Sequence, residues 1–195
     1  RGSVANMPLG ATKVVVDTTL NPDYSPASIV VRPSTLAIFG GSITLSGGQQ
    51  QNGTIDAHIK ANGLNLTKIS EASGGSTGLM SLTGIVDSLA VDVSGAQAGI
   101  PMSLAGPVKV TVKDGEIKGI NILQETLGKV TEVPGLGAGL LTFVPEQYRP
   151  LMQKSGTGFK TLTVTGALGS GAFRVDSLEL VNDLFLLTGQ GNVQI

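Results

Sequence analysis

The sequence predicts a mainly β (α+β) fold: a curved antiparallel sheet that can form an open apolar groove, with two or three short helices. Three observations lead to this prediction. Apolar and polar residues alternate in many segments, which is typical of strands with one buried face. The 195 residues include 28 glycines, which suit tight turns and bulges. Aromatic and charged residues are scarce, at 4% and 14%, so aliphatic residues and Thr form most of the strands.

The first predicted elements are strands. Residues 11–20 place Val14 and Val16 on one side of a strand and Asp17 on the other. Residues 25–48 are predicted to form two or three short strands, which are interrupted at Pro33 and at Gly40-Gly41.

The clearest alternation lies in residues 52–63, where Ile55, Ala57 and Ile59 face away from Asp56, His58 and Lys60. Residues 64–72 then shift to helical spacing and predict a short helix, followed by a Gly-Ser loop over 73–78.

The second half repeats this succession of strands and helices. Residues 84–95 and 101–119 predict strands, with a hairpin turn at Asp114-Gly115. Residues 120–130 carry apolar residues at three- and four-residue steps and predict an amphipathic helix. A second short helix is predicted over 145–153, which begins at Pro145 and is limited by Pro150. The final forty residues alternate again and predict a series of strands.

Length and composition favour a single β-rich domain over residues 1–195. The sequence begins at Arg1 without a signal-peptide pattern, so we expect an excised part of a larger protein. The absence of Cys excludes disulfides and thiolate metal sites. The sequence contains no uninterrupted apolar stretch of about 18 residues, so it predicts no membrane-spanning helix. A net charge of −1, with scattered Lys and Arg, argues against nucleic acid as a partner.

No residue pattern predicts an active site or a cofactor. His58 is the single histidine, and we interpret it as a solvated surface residue, because a lone His cannot form a His-based metal site. The run Gly135–Gly139 lacks the preceding strand and the Lys-Ser/Thr pair of a phosphate-binding loop, so we interpret it as a flexible connector. Carbohydrate sites usually offer stacking aromatics, and this chain has two Tyr and no Trp. The chain is therefore expected not to be an enzyme.

Two regions of the C-terminal half share a pattern of glycines and aliphatic residues. One is Leu104–Ile120, with the sequence LAGPVKVTVKDGEIKGI. The other comprises Thr157–Phe159, Leu162, Gly166, Gly169–Gly171, Val175–Leu180 and Leu187–Gly191. These regions resemble the C-terminal region of the AsmA family, and the resemblance covers residues 82–195, whereas residues 1–81 agree only in character.

The resemblance implies a bacterial envelope protein. AsmA-like proteins have a β-rich periplasmic body and an inner-membrane anchor, and they contribute to outer-membrane assembly and to phospholipid movement between membranes. The implied partner is a phospholipid or another acyl-chain lipid, and the implied anchor would lie outside this sequence.

Alternating aliphatic residues provide a lining for such a lipid, because acyl chains need only a continuous apolar surface. The predicted lining residues are Val14, Val16, Ile55, Ile59, Val91, Val93, Val108, Val110, Val112, Val175 and Leu180. Alternation equally fits a closed core without ligand. In that alternative the chain is a structural module of the envelope, whose sheet edges pair with envelope proteins. A hydrolase acting on envelope polymers is a third, weaker alternative.

Overall fold

A computed structural model describes residues 2–4, 14–21, 26–72, 82–125, 146 and 154–194. In these residues, eleven strands form one antiparallel sheet. Ten of them are neighbours in the order of the chain, and the eleventh, β6, lies off this path and pairs with β7. The sheet is curved and open. The mainly β, antiparallel fold predicted from the sequence is therefore confirmed.

The strands take up most of the described chain. Their bounds are β1 (Gly2–Val4), β2 (Val14–Leu20), β3 (Pro26–Ile38), β4 (Gly41–Gln49), β5 (Thr54–Asn62), β6 (Leu64–Asn65), β7 (Ile85–Ala96), β8 (Gly106–Lys118), β9 (Gly156–Gly169), β10 (Ala172–Val181) and β11 (Leu186–Gln194). The helix α1 (Leu66–Ala72) follows β6, and residues 122–125 form a further helical turn. Within the described ranges, no helix is long and apolar enough to cross a bilayer.

The register gives the sheet two chemically different faces, because residues directly opposite each other in paired strands point to the same side. Along one row, Leu45 lies opposite Ile59, Ile59 opposite Val91, and Val91 opposite Val108. We call this side the apolar face. On the other side, Thr44 lies opposite Lys60, which is followed across the sheet by Ala90 and Lys109. We call that side the polar face.

Local register shifts keep the apolar face continuous. The pairing shifts between Val31 and Ser34, at the predicted interruption by Pro33, so that Val31 and Ser34 both belong to the apolar face. A second shift, between Val175 and Ser177, has the same effect in β10. Val175 and Leu180 are five positions apart and would point to opposite sides of a regular strand, but the bulge places both on the apolar face.

The core packs against one end of the apolar face, which we call the core end. There α1 and residues 82–84, 120–125 and 182–185 lie beside the strand termini. The buried cluster consists of Ala61, Leu64, Leu66, Val86, Val112, Phe159, Leu162 and Leu180. The opposite end, which we call the loop end, carries the connections 50–53, 97–105 and 170–171.

One predicted turn is wrong. Asp114-Gly115 was predicted to form a hairpin, but β8 continues through both residues to Lys118. Asp114 has a φ of +50°, which kinks the strand locally. Lys113 pairs with Thr161 and Gly115 pairs with Phe159, so the long partner β9 holds both sides of the kink in one strand.

The predicted helices have different outcomes. The helix predicted for 64–72 is confirmed over Leu66–Ala72 as α1, whereas Leu64–Asn65 form β6. The first residue of α1, Leu66, is buried. Of the helix predicted for 120–130, residues 122–125 are helical, and residues 126–130 lie outside the described part of the chain. Of 145–153 only Glu146 is described, in a 3₁₀ conformation. The predicted loops 73–78 and Gly135–Gly139 also lie outside the described residues.

Candidate functional site: the apolar face

The register places all eleven residues of the predicted lining on the apolar face. They are Val14, Val16, Ile55, Ile59, Val91, Val93, Val108, Val110, Val112, Val175 and Leu180. Their burial differs along the face. Val112 and Leu180 lie at the core end and are 3% and 0% exposed, and Val93 is also buried. The other eight are half-buried.

A cavity of about 380 Å³ lies over strands β3, β4 and β5. It is lined by Ile29 and Val31 and by residues 45–49 and 55–59. In β3 the lining residues Ile29 and Val31 belong to the apolar face, and Val30, which points to the polar face, does not contribute. We call this hollow the β3–β5 cavity. Its volume is within the usual range for small-molecule sites, about 300–1,000 Å³.

Small residues form the floor of the β3–β5 cavity. Gly47 lies opposite both Val31 and Ala57, so two adjacent positions of this row carry a hydrogen atom and a methyl group as side chains. Gly47 has a φ of +154°, a conformation that favours glycine. The larger residues Leu45, Ile59 and Ile55 lie in the rows on either side. The result is a furrow that runs across the strands.

The prediction from the sequence missed several residues of this cavity. Ile29, Val31 and Leu45 line it, together with Gly47 and Ala57 of the floor. Ile29 and Val31 do alternate with polar-face residues, which was a usable signal. Gly47 offers no such signal, because a sequence does not distinguish a glycine in the floor of a furrow from a glycine in a turn.

A second apolar cavity, of about 210 Å³, lies at the loop end. It is lined by Pro101, Met102, Leu104, Leu168, Gly169, Gly171 and Ala172. We call it the tip cavity, because residues 100–102 form the tip of the connection between β7 and β8. Leu168 lies opposite Gly106 and Phe173 on the apolar face, so the tip cavity adjoins that face.

The polar face carries exposed charged groups. The His58 ring, with its side chain 48% exposed, lies between two carboxylates, with Nδ1 2.8 Å from Asp92 Oδ1 and Nε2 3.4 Å from Asp56 Oδ2. This geometry agrees with the interpretation of His58 as a surface residue. Within the described ranges, no group of three or more His, Cys, Asp or Glu residues is suited to hold a metal ion.

Two exposed ion pairs shift the pKa of their cations. The Lys160 ammonium donates a hydrogen bond to Asp183, and this bond and the opposite charge raise the pKa of Lys160. Arg174 Nε donates to Asp176 Oδ1 at 2.7 Å, which in the same way raises the pKa of Arg174. Both cations are fully exposed, so these pairs describe a solvated surface and contribute little to stability.

Comparisons with family models, curated proteins and solved structures found no match to this chain. The functional argument therefore rests on the apolar face and its two cavities.

Proposed function

We propose that this chain binds lipid acyl chains on its apolar face, without covalent chemistry. The observation that carries the proposal is the β3–β5 cavity, a furrow of about 380 Å³ whose floor is Gly47 and Ala57 and whose walls are aliphatic apart from Gln49 on the apolar face. An acyl chain gains about 0.8 kcal/mol for each methylene that leaves water, and it needs no precisely placed polar group. The furrow supplies such a surface.

The difference in exposure among the lining residues supports lipid binding rather than simple packing of a core. The eight half-buried lining residues retain accessible apolar surface, whereas the core-end residues Val112 and Leu180 are sealed. An apolar surface that stays accessible in a folded domain is typical of a binding site.

The resemblance to the AsmA family gives this proposal its biological setting. In that setting the chain is a periplasmic part of a protein anchored in the inner membrane. It would shelter or conduct phospholipid acyl chains during outer-membrane assembly or intermembrane transport.

The test is native mass spectrometry of the chain purified from bacteria, followed by lipid extraction. Co-purified phospholipid, or uptake of a labelled phospholipid, is the expected result. Val91→Asp should abolish it, because Val91 lies on the apolar face opposite Ile59 and Val108.

Ala90→Asp is the matched control, because it introduces the same charge one residue earlier on the polar face. Its neighbours across the sheet are Lys60 and Lys109, which can accommodate a carboxylate. Equal loss of lipid in the two folded variants, or no lipid on the unmodified chain, would contradict the proposal.

A second candidate function, strand pairing at a sheet edge, has its own observation. In the described part of the chain, β11 pairs on one side only, with β10. Its nine residues contain no charge and no proline, and Leu186 and Val193 are 60% and 55% exposed. Edge strands of stable monomers usually carry such blocking residues, so an unprotected edge suits the addition of a partner strand.

This second candidate is tested by sedimentation of the chain over a range of concentrations. Self-association that Gln190→Lys and Asn192→Lys suppress would support an edge that accepts a strand. A chain that stays monomeric at all concentrations would exclude a second copy of this chain as the partner of the edge.

A further inference from the structure

The connections at the two ends of the sheet differ in charge. The core end carries Lys68, Glu71, Asp114, Glu116, Lys118, Lys154 and Asp183. At the loop end, the connections 50–53, 97–105 and 170–171 contain no Asp, Glu, Lys, Arg or His. These three connections therefore offer only neutral polar and apolar groups.

Apolar side chains project from the loop end of the sheet. Ile100 and Met102 are 47% and 56% exposed, and Pro101 between them is also exposed. We call residues 100–102 the loop tip. Leu20 and Val193, at the loop-end termini of β2 and β11, are 54% and 55% exposed. The loop tip differs from the other exposed apolar residues because three of them are consecutive in it, and such a contiguous exposed apolar patch marks an interaction site.

The loop tip is held in place by its surroundings. Ser103 Oγ donates to the Ala96 carbonyl at 2.6 Å, and the Ser103 N–H donates to the Gly99 carbonyl at 3.0 Å. A Cβ added at Gly171 would lie 2.3 Å from Met102 Sδ, so Met102 rests directly on the β9–β10 turn. The exposed Ile100 and Met102 side chains thus project from a defined loop.

We infer that the loop tip inserts into the interfacial region of a phospholipid bilayer. Protein interfaces are enriched in aromatic residues, Met and Arg, and of these the three described loop-end connections contain only Met102. Insertion of Ile100 and Met102 into a bilayer requires only apolar surface surrounded by neutral polar groups such as Gln97 and Ser103. Electrostatic attraction to anionic headgroups plays no part, because no Lys or Arg lies in these connections.

The tip cavity connects the inserted loop tip with the apolar face. It extends from Pro101 and Met102 at the tip to Leu168 on the apolar face. A lipid at the membrane surface would thus meet an apolar route from the bilayer to the sheet. This route rests on the proposed function, whereas insertion of the tip does not.

The experiment is flotation of the purified chain with phosphatidylcholine vesicles, with and without phosphatidylglycerol and at low and high salt. Binding should occur with both vesicle types and should not weaken in salt. The double variant Ile100→Asp/Met102→Asp should reduce binding at least tenfold. The matched control Ile85→Asp/Ile120→Asp changes two exposed residues at the core end and should bind as the unmodified chain does.

A fluorescent label locates the insertion directly. The chain contains no Cys, so Met102→Cys and Ile120→Cys each create a single labelling site. A polarity-sensitive dye at position 102 should shift to the blue on addition of vesicles, and the same dye at 120 should not. Absence of the shift at 102, equal shifts at both sites, or binding only to anionic vesicles at low salt would overturn the inference.

The outcomes separate this inference from the proposed function. A chain that takes up soluble fatty acid but fails to bind vesicles would overturn tip insertion and leave the acyl site intact. A chain that binds vesicles through the tip but takes up no fatty acid would retain the insertion and contradict the acyl site.

Discussion

Ala57 lies directly opposite Gly47 in the adjacent strand, and these two residues form the floor of the β3–β5 cavity. The rows beside them carry Leu45, Ile55 and Ile59. The depth of the furrow therefore depends on two small side chains. A substitution that enlarges either side chain should alter the cavity more than the core, because the core packs at the other end of the sheet.

Replacing Ala57 by Leu should weaken acyl binding without introducing a charge. The added side chain points into the furrow and displaces part of a bound chain. Excluding two methylenes costs about 1.6 kcal/mol, which is roughly a tenfold loss of affinity. The measurement is a titration with a fluorescent fatty acid. Ala90→Leu adds the same volume on the polar face and should leave affinity unchanged, and a similar loss in both variants would refute the cavity as the site.

Thr157→Val should destabilise the chain through residues 120–122. The Thr157 hydroxyl is buried, donates to the Ile120 carbonyl at 2.7 Å and accepts the Ile122 N–H at 2.8 Å. Valine leaves both backbone groups without this partner, which costs about 1–3 kcal/mol each where water cannot replace it. Urea unfolding measures the loss.

The control for Thr157 is Thr188→Val, at an exposed position of β11. This variant should change the free energy of unfolding by less than about 0.5 kcal/mol. Equal stability of the two variants would show that the Thr157 hydroxyl does not hold residues 120–122.

Gly115→Ala should destabilise the core end through overpacking. An added Cβ would lie 2.3 Å from Phe159 Cζ and 2.2 Å from the Thr83 carbonyl oxygen. Phe159 is 5% exposed and cannot move away without disturbing the buried cluster. Overpacking of this kind costs about 1–3 kcal/mol, measurable as a lower urea midpoint.

Gly169→Ala provides the comparison for Gly115, because an added Cβ at Gly169 meets no atom within 4 Å. We expect it to retain the stability of the unmodified chain. If the Gly115 variant is as stable as the Gly169 variant, the contact of Phe159 with Gly115 is looser than the structure has it.

The alternation of residues predicted the strands and the side to which most of the eleven lining residues point, because a strand carries this information locally. Val175 and Leu180 share a side only through the bulge in β10, which alternation does not predict. The alternation did not predict which of the lining residues are fully buried. Val14 and Val112 alternate in the same way, yet Val112 is buried and Val14 is half-exposed. The difference comes from the core-end elements that pack on Val112, and contacts between distant parts of a chain leave no local pattern.

The wrong hairpin at Asp114-Gly115 has the same origin. The pair favours a turn in isolation, but β9 pairs with β8 on both sides of it and overrides the local preference. The β3–β5 cavity also depends on distant residues, since Gly47 and Ala57 become neighbours only through the register of β4 with β5.

Photocrosslinking tests the central claim most directly. The chain is incubated with a fatty acid that carries a diazirine along its acyl chain, is irradiated and digested, and the modified residues are identified by mass spectrometry. We predict labels on apolar-face residues of β3, β4 and β5. Unmodified phospholipid should compete with this labelling, and Ala57→Leu should abolish it. Labels confined to the polar face, or labelling that competitor and Ala57→Leu leave unchanged, would contradict acyl binding by the apolar face.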